Sequence, residues 1–387
     1  MDRNGITRVL FEAPKMDSRE IEVMDRLDTL RTSMRMQLNE PRRWQGSLQR
    51  LSFARNIRGS NSIEGYEADL DDAAAVALGE EPLDANEETR LALEGYRNAM
   101  TYVLQLAQEP PIEISEQLIR SLHFMMTSYD LKNRPGRWRL GPIFVRDEET
   151  EAIVHEGAEI SLVPDLMAEL VSYMTSSSSE PDIVRGAMVH LNLVMIHPFR
   201  DGNGRIARCL QSLMLASGGV LSPIFMSIEE YLGRNTQDYY AVLAQVGGGD
   251  WASARDARPW LRFVLAAHLR QALTLQRRIR DSERVWTELE SVVARHRLPD
   301  RMIHAMFDAV TGFRVRNAIY RATLEEADEE ISEQSASRDL KTLTDLGLLA
   351  PKGEKRGRHY IRAGELVEIY QRVSANRTAR SNDDPFA

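Results

Sequence analysis

Apolar residues recur at helical spacing through most of the chain, and stretches that alternate at strand spacing are few. Residues 20–56 carry the helical period as one or two amphipathic helices. Residues 69–80 are alanine-rich with acidic neighbours, and residues 86–106 predict a long helix. Pro110-Pro111 interrupts the pattern, and Ser115 with Gln117-Leu118 opens the next helix. Residues 184–196 are apolar on most faces, as expected of a helix buried on all sides. Pro198 disfavours helical geometry at His197, so that helix should stop there. Residues 260–296 continue as long helical structure, with Arg277, Arg278 and Arg280 on a solvated or interdomain face. Residues 136–156 break the period. Gly136-Arg137-Trp138-Arg139 and Gly141-Pro142 lead into the β-prone residues 143–145, a polar stretch over 146–151, and the β-prone residues 152–154. Two short β-prone runs about a polar turn predict a hairpin.

The last ninety or so residues read as a separate module that begins after Leu298-Pro299. Residues 331–349 predict a helix, a turn and a second helix holding Ser337, Arg338, Asp339, Leu340 and Leu343, closed by Gly347. A basic, glycine-containing turn over 352–358 follows, and His359-Tyr360-Ile361 returns as a strand. The arrangement resembles a winged helix-turn-helix. A DNA-binding use would place Ser335, Ser337, Arg338 and Lys341 in the major groove, with Lys352, Lys355, Arg356 and Arg358 on phosphates. Against it stand Asp339, Asp345 and the acidic run over 325–333, which would repel phosphate. Winged helices also serve as protein-docking modules, so DNA and protein both remain open as its partner.

The densest chemistry lies in residues 197–208, His-Pro-Phe-Arg-Asp-Gly-Asn-Gly-Arg-Ile-Ala-Arg. His197 is the one side chain here that titrates near neutrality, which makes it the candidate general base. Asp201 is a hard oxygen ligand suited to Mg²⁺ that bridges phosphates. Gly202 and Gly204 allow successive amides to point at one anion. A helix that starts near Asn203 would aim its N-terminal amides and dipole at the same place. Arg205 and Arg208 are three apart, share a helix face and can hold two phosphates of one nucleotide.

This stretch resembles the Fic-domain signature, His-x-Phe-x-(Asp/Glu)-Gly-Asn-Gly-Arg-x-x-Arg, at every defined position: His197, Phe199, Asp201, Gly202, Asn203, Gly204, Arg205 and Arg208. The resemblance implies transfer of AMP from ATP to a Ser, Thr or Tyr hydroxyl of a target protein, with pyrophosphate released. Carried over by position, His197 would deprotonate the hydroxyl and Asp201 would hold Mg²⁺. Asn203 and Arg205 would grip the α- and β-phosphates and Arg208 the γ-phosphate. The loop amides would add charge stabilisation, and Phe199 would anchor the loop in the core. The hairpin over 143–154 would be the family's flap, which pairs with the target backbone by strand addition. Tyr239-Tyr240 match a tyrosine pair that lines the adenine pocket in family members, although adjacent aromatics on a helix are as readily core residues. A common family asparagine after that pair is replaced within Gly247-Gly248-Gly249.

Ser60-Asn61-Ser62-Ile63-Glu64-Gly65 resembles the family's inhibitory motif, (Ser/Thr)-x-x-x-Glu-(Gly/Asn). On a helix, Ser60 and Glu64 would share a face, with Gly65 as a stop. The resemblance implies that Glu64 pairs with Arg208 and blocks the γ-phosphate site. Taken alone, the pattern is also that of a solvated charge near a helix end.

Composition adds bounds. The chain has 387 residues, room for two or three domains, with 43% hydrophobic and 28% charged residues, a soluble globular profile. Its net charge of −9 gives no general attraction to nucleic acid. No stretch approaches the ~18–20 apolar residues of a membrane span, and residues 1–15 show no secretory signal. The single cysteine, Cys209, excludes an internal disulfide framework and suits a reducing cytoplasm. His123, His155, His190, His268, His296 and His304 lack the short spacing of a zinc site, and the 16 methionines fit core filling.

The expectation is therefore a mostly α protein in three parts. Residues 1–109 form a helical region with the inhibitory motif, 110–290 a Fic core with a β-hairpin flap, and 300–375 a winged helix-turn-helix. The function implied is Mg²⁺-dependent, cytoplasmic protein adenylylation of a target and of itself, held low by Glu64. Two alternatives use the same site: hydrolytic removal of AMP, with Glu64 orienting water, and a transcriptional regulator that senses nucleotide. A homodimer stays open.

Overall fold

The computed structural model describes residues 10–38, 42–109, 111–146, 152–177, 179–216, 223–375 and 384–386. The fold is mostly helical. An N-terminal group comprises α1 (Ser18–Leu38), α2 (Gln45–Ser62), α3 (Leu70–Ala77) and α4 (Glu87–Leu106). Next come α5 (Glu116–Thr127), strands β1 (Phe144–Arg146) and β2 (Ile153–Glu156), α6 (Val163–Thr175), α7 (Asp182–Ile196) and α8 (Asn203–Ala216). The chain continues through α9 (Pro223–Met226), α10 (Glu229–Arg234), α11 (Thr236–Gly247), β3 (Gly249–Asp250) and the 39-residue α12 (Arg258–His296). The last part holds α13 (Met302–Thr311), α14 (Asn317–Glu325), α15 (Glu333–Asp345), β4 (Leu349–Lys352), β5 (His359–Arg362) and α16 (Glu365–Ala375).

Local capping explains several boundaries. Asn86 accepts from the Thr89 amide at 2.8 Å and opens α4; Ser115 accepts from the Leu118 amide at 3.1 Å and opens α5. Such caps contribute ~1 kcal/mol each by occupying an otherwise unpaired amide. α7 is buried on nearly every face, as its unbroken apolar run requires. Val189, Leu193 and Ile196 face a cluster with Ile206, Leu210 and Leu213 of α8 and residues of α4, α5 and α6. Ala187, Leu191 and Met195 face a second cluster, which continues through α2, α11 and α12 to α13–α16 without interruption at Leu298-Pro299.

The expected hairpin is present as antiparallel β1 and β2, but its tip over 147–151 lies outside the described residues. β2 also pairs in parallel with β3, so the sheet has three strands in the order β1-β2-β3, and the outer edge of β1 has no strand partner among the described residues. The glycine run that replaces the family asparagine supplies this strand. Gly248 caps α11 at φ +55°, and Gly249 enters β3.

Towards the C-terminus the sequence expectation needs correction. Residues 331–349 hold one helix, α15, capped by Ser332; the helix that precedes it is α14, upstream of the acidic run. An antiparallel β4–β5 hairpin follows. Asp339 does not face outward: it is buried and bonded by Arg301 (2.7 Å) and Tyr320 (3.1 Å). Arg338, Lys341, Lys352, Lys355 and Arg358 are exposed, and the side chain of Arg356 lies outside the description. This region is tied to α2 by Arg50, which meets Asp308 at 2.7 Å with both partners about 95% buried.

Candidate active site

The loop between α7 and α8 brings the signature residues together. α7 ends at Ile196, as Pro198 requires, but His197 adopts the left-handed conformation (φ 53°, ψ 59°), not an extended one. This lets its amide reach the Leu193 carbonyl at 2.9 Å and close the helix. A non-glycine residue here carries strain on the order of 1–3 kcal/mol. The surroundings hold it in place.

His197 Nδ1 lies 3.1 Å from the Val194 carbonyl, which can only accept, so Nδ1 carries the proton and Nε2 keeps its lone pair. The protein packed around the ring pushes its pKa down to about 4, and the imidazole is neutral at pH 7. The loop is braced by Phe199, which is fully buried with His123 stacked flat on it at 3.7 Å. His123 Nδ1 accepts from the Gly136 amide (2.9 Å), so its Nε2 donates to the Asp201 carbonyl (2.9 Å).

The Asn203 side chain closes on the loop itself. It donates to the Phe199 carbonyl and accepts from the Phe199 amide, both at 2.9 Å. This qualifies the expectation for its side chain: both polar atoms bond the Phe199 main chain, and what Asn203 offers an anion is the second Nδ2 hydrogen and its main-chain amide at the start of α8. Gly202 has φ +76°. Gly204 leaves room for Glu64, because a Cβ there would land on Glu64 Oε1 and push the carboxylate aside. Arg205 is fully buried, with Nη1 donating to the Tyr129 hydroxyl (3.0 Å), Nη2 3.4 Å from Asp201 Oδ2, and Tyr66 beneath its guanidinium.

Arg208 is equally buried. Its Nε donates to Ser60 Oγ (2.8 Å), and its Nη2 donates to the Ser60 carbonyl (2.9 Å) and to Glu64 Oε1 (2.7 Å). Burial opposes its charge, but Glu64 holds its pKa above the usual value. Arg208 Nη1 is buried and makes no hydrogen bond among the described residues. Ser60 and Glu64 do not share one helix, as the spacing suggested. α2 ends at Ser62, and Glu64 sits in the turn beyond, closed by Gly65 at φ +82°. The turn still aims the carboxylate at Arg208.

Asp201 is the one acidic side chain of the loop, 38% exposed, with Asn133 Nδ2 3.4 Å from Oδ2. No group of three or more potential metal ligands exists among the described residues. A lone carboxylate beside a phosphate cradle fits Mg²⁺, which takes one or two carboxylates and completes its shell with phosphate and water oxygens.

Residues 113–215 match the Fic/DOC family. The chain carries a Fic domain. Its matched span includes the whole loop 197–208, whereas Ser60, Glu64, Tyr239 and Tyr240 lie outside it. Over 279 residues the chain is 26% identical to a protein adenylyltransferase Fic of Nematostella vectensis, covering 68% of this chain and 58% of that one. A protein adenylyltransferase fic-1 of Caenorhabditis briggsae is 34% identical over 105 residues, 26% of this chain and 18% of the relative. The chain therefore spans little more than half of the first relative. A solved Fic family protein from Desulfovibrio desulfuricans G20 shares the fold, with a TM-score of 0.57 over 91% of this chain and 98% of that one at 20% identity. Fic-1 of C. elegans gives a TM-score of 0.51 over 67% of this chain and 70% of that one at 22% identity.

Outside the matched Fic span, the tyrosine pair is split. Tyr239 is buried, its hydroxyl 2.8 Å from His190 Nε2, with Trp260 and Phe263 around its ring. It belongs to the core and is not available to line an adenine pocket. Tyr240 is 46% exposed and donates to the Ile63 carbonyl at 2.9 Å, beside Glu64. The Fic core also recruits residues that sequence reasoning passed over: His123, Tyr129, Tyr66 and Arg139. The first and last of these act 78 and 58 residues away along the chain, and no local pattern signals such contacts.

Proposed function

We propose that this chain transfers AMP from ATP to a Ser, Thr or Tyr hydroxyl of a target protein and of itself, and that Glu64 holds the activity low. The observation that carries the reading is the meeting, at the head of α8, of a neutral His197 with a free Nε2, an anion cradle and Arg208. The names of the relatives, protein adenylyltransferases, point to ATP as the donor. A target segment adds to the outer edge of β1 and brings its hydroxyl to His197. Nε2 takes the proton as the oxygen bonds to the α-phosphorus, and the α–β bridging bond breaks to release pyrophosphate. Main-chain amides of Gly202, Asn203 and Gly204, with Arg205 and Arg208, hold the phosphates. A γ-phosphate that takes Arg208 Nη2 has to displace Glu64 from it, and the unpartnered Nη1 stands beside it as a second donor. Asp201 would hold Mg²⁺, which would supply neutralisation of charge on the phosphates.

A hydrolytic reading is favoured by one observation: only one of Glu64's two oxygens meets Arg208, which leaves the other to orient a water. For the C-terminal part we propose a winged helix-turn-helix built from α14, α15 and the β4–β5 hairpin.

The test is the His197→Ala variant in a Glu64→Gly background. AMP transfer should fall at least ~10²–10⁴-fold while ATP binding persists. Near-parental transfer would remove His197 as the base.

A further inference from the structure

We infer that Arg139 is a positioning residue, which sets the register between the strand edge that receives the target and the His197 ring. The inference rests on the adenylyl-transfer reading above and deepens it.

Arg139 is 5% exposed and sits in the irregular stretch before β1. Its donors are spent on main-chain carbonyls from three segments. Nε donates to the His197 carbonyl (2.8 Å), Nη1 to the Gly141 carbonyl (2.6 Å) and Nη2 to the Ala158 carbonyl. Its own amide donates to the Pro198 carbonyl at 2.9 Å. Gly141 lies just before β1, and Ala158 just after β2. One planar guanidinium therefore ties both stems of the hairpin to the loop that bears the base. No carboxylate forms an ion pair with it among the described residues, although its charge is buried and the Glu156 carboxylate, further off, favours it.

The charge also meets the carboxyl end of α7, where the helix dipole favours a cation. The contact is backed by neighbours, since the Ala158 amide donates to the Ile196 carbonyl (3.2 Å) and the Gly157 amide to the Ile143 carbonyl (3.1 Å). Strand addition on β1 fixes a target only relative to the hairpin. Arg139 converts that into a position relative to His197 Nε2. Lysine cannot replace it, because a point charge with three mobile donors cannot serve three carbonyls in one plane.

Arg139 also acts on His197 through its charge. The groups around that ring are Arg139 and His155, which lower its pKa, and Glu64, which raises it.

The experiment compares Arg139→Lys and Arg139→Met with their parent, all carrying Glu64→Gly. Turnover is read against pH with α-labelled ATP, ATP affinity by calorimetry and folding by thermal melting. Both variants should lose about a hundredfold in kcat, the usual cost of a misplacement near 1 Å, with ATP affinity unchanged. Arg139→Met should also move the acid limb of the rate upward, since a cation beside His197 is gone. Arg139→Lys should leave that limb in place. If Arg139→Met melts below the assay temperature, the lysine variant decides alone. Turnover within twofold of the parent, or loss that follows ATP affinity, overturns the assignment. A parent that incorporates no label defeats the adenylyl-transfer reading, and this inference with it.

Discussion

Replacing Glu64 by glycine should remove the proposed competitor and leave the Arg208 contacts to Ser60 in place. Arg208 would keep its bonds to Ser60 Oγ and the Ser60 carbonyl, at 2.8 and 2.9 Å, so the guanidinium stays aimed at the site. Glu64 lies beyond the end of α2, so a glycine there does not weaken the helix. What is lost is one charge-assisted bond of 2.7 Å. Such bonds contribute ~1.5–3 kcal/mol when buried. Glu64 retains 21% exposure, so water screens it and the lower third of that range applies. On a scale of tenfold per ~1.4 kcal/mol, about 1.5–2 kcal/mol corresponds to roughly 10- to 30-fold more productive nucleotide. Auto-labelling with α-labelled ATP and Mg²⁺, followed as an initial rate, should rise by that factor. The Glu64→Gly/Arg208→Ala double variant should not show the rise, because the γ-phosphate then loses its partner too. An unchanged or lower rate in Glu64→Gly would refute the competition argument and return Ser60 and Glu64 to an ordinary helix end.

Two further outcomes follow from the site and its core. Asp201→Ala should lose Mg²⁺-dependent turnover; an unaltered Mg²⁺ titration with full activity would take Asp201 out of the site. Burial lowers the pKa of His190 to about 3 and of His123 and His304 to about 4, from an ordinary 6.5. The unfolded chain therefore binds more protons below pH 6.5, and each histidine removes up to ~1.4 kcal/mol of stability per pH unit between 6.5 and its own value. Buried Glu229 and Asp308, whose pKa values are raised, pull the other way. Thermal melting should still fall from pH 7 to pH 5, and His190→Gln should flatten the slope; a constant melting temperature would contradict this.

The parts that sequence reasoning captured are those written in local pattern. The loop 197–208 is one continuous motif, and α4 and α5 open at Asn86 and Ser115 as their capping chemistry dictates. Tyr239 carries a signal that decides between its two open readings. It is in phase with Val242, Leu243 and Val246, the buried stripe of α11, whereas Tyr240 falls outside that stripe. The inward turn of Tyr239 was legible in the helical period. Strand β3 was not, because two residues, Gly249 and Asp250, carry no alternation and pair with β2 through main-chain bonds alone. The same limit hides Arg139 and His123, whose partners are brought near only by the packing of α5, the hairpin and the loop. In the C-terminal part, the expected helix pair lay one helix too far downstream, although Ile319, Tyr320, Thr323 and Leu324 already outline the buried face of α14.

The central claim is that the loop after α7 directs attack on the α-phosphorus of ATP and leaves the γ-phosphate as part of the departing group. Parallel incubations of the Glu64→Gly variant with α-labelled and γ-labelled ATP, each with Mg²⁺, test it most directly. The account predicts that α-label becomes attached to the chain at a Ser, Thr or Tyr hydroxyl while γ-label leaves as pyrophosphate. Attachment of γ-label, or of neither label, would contradict it.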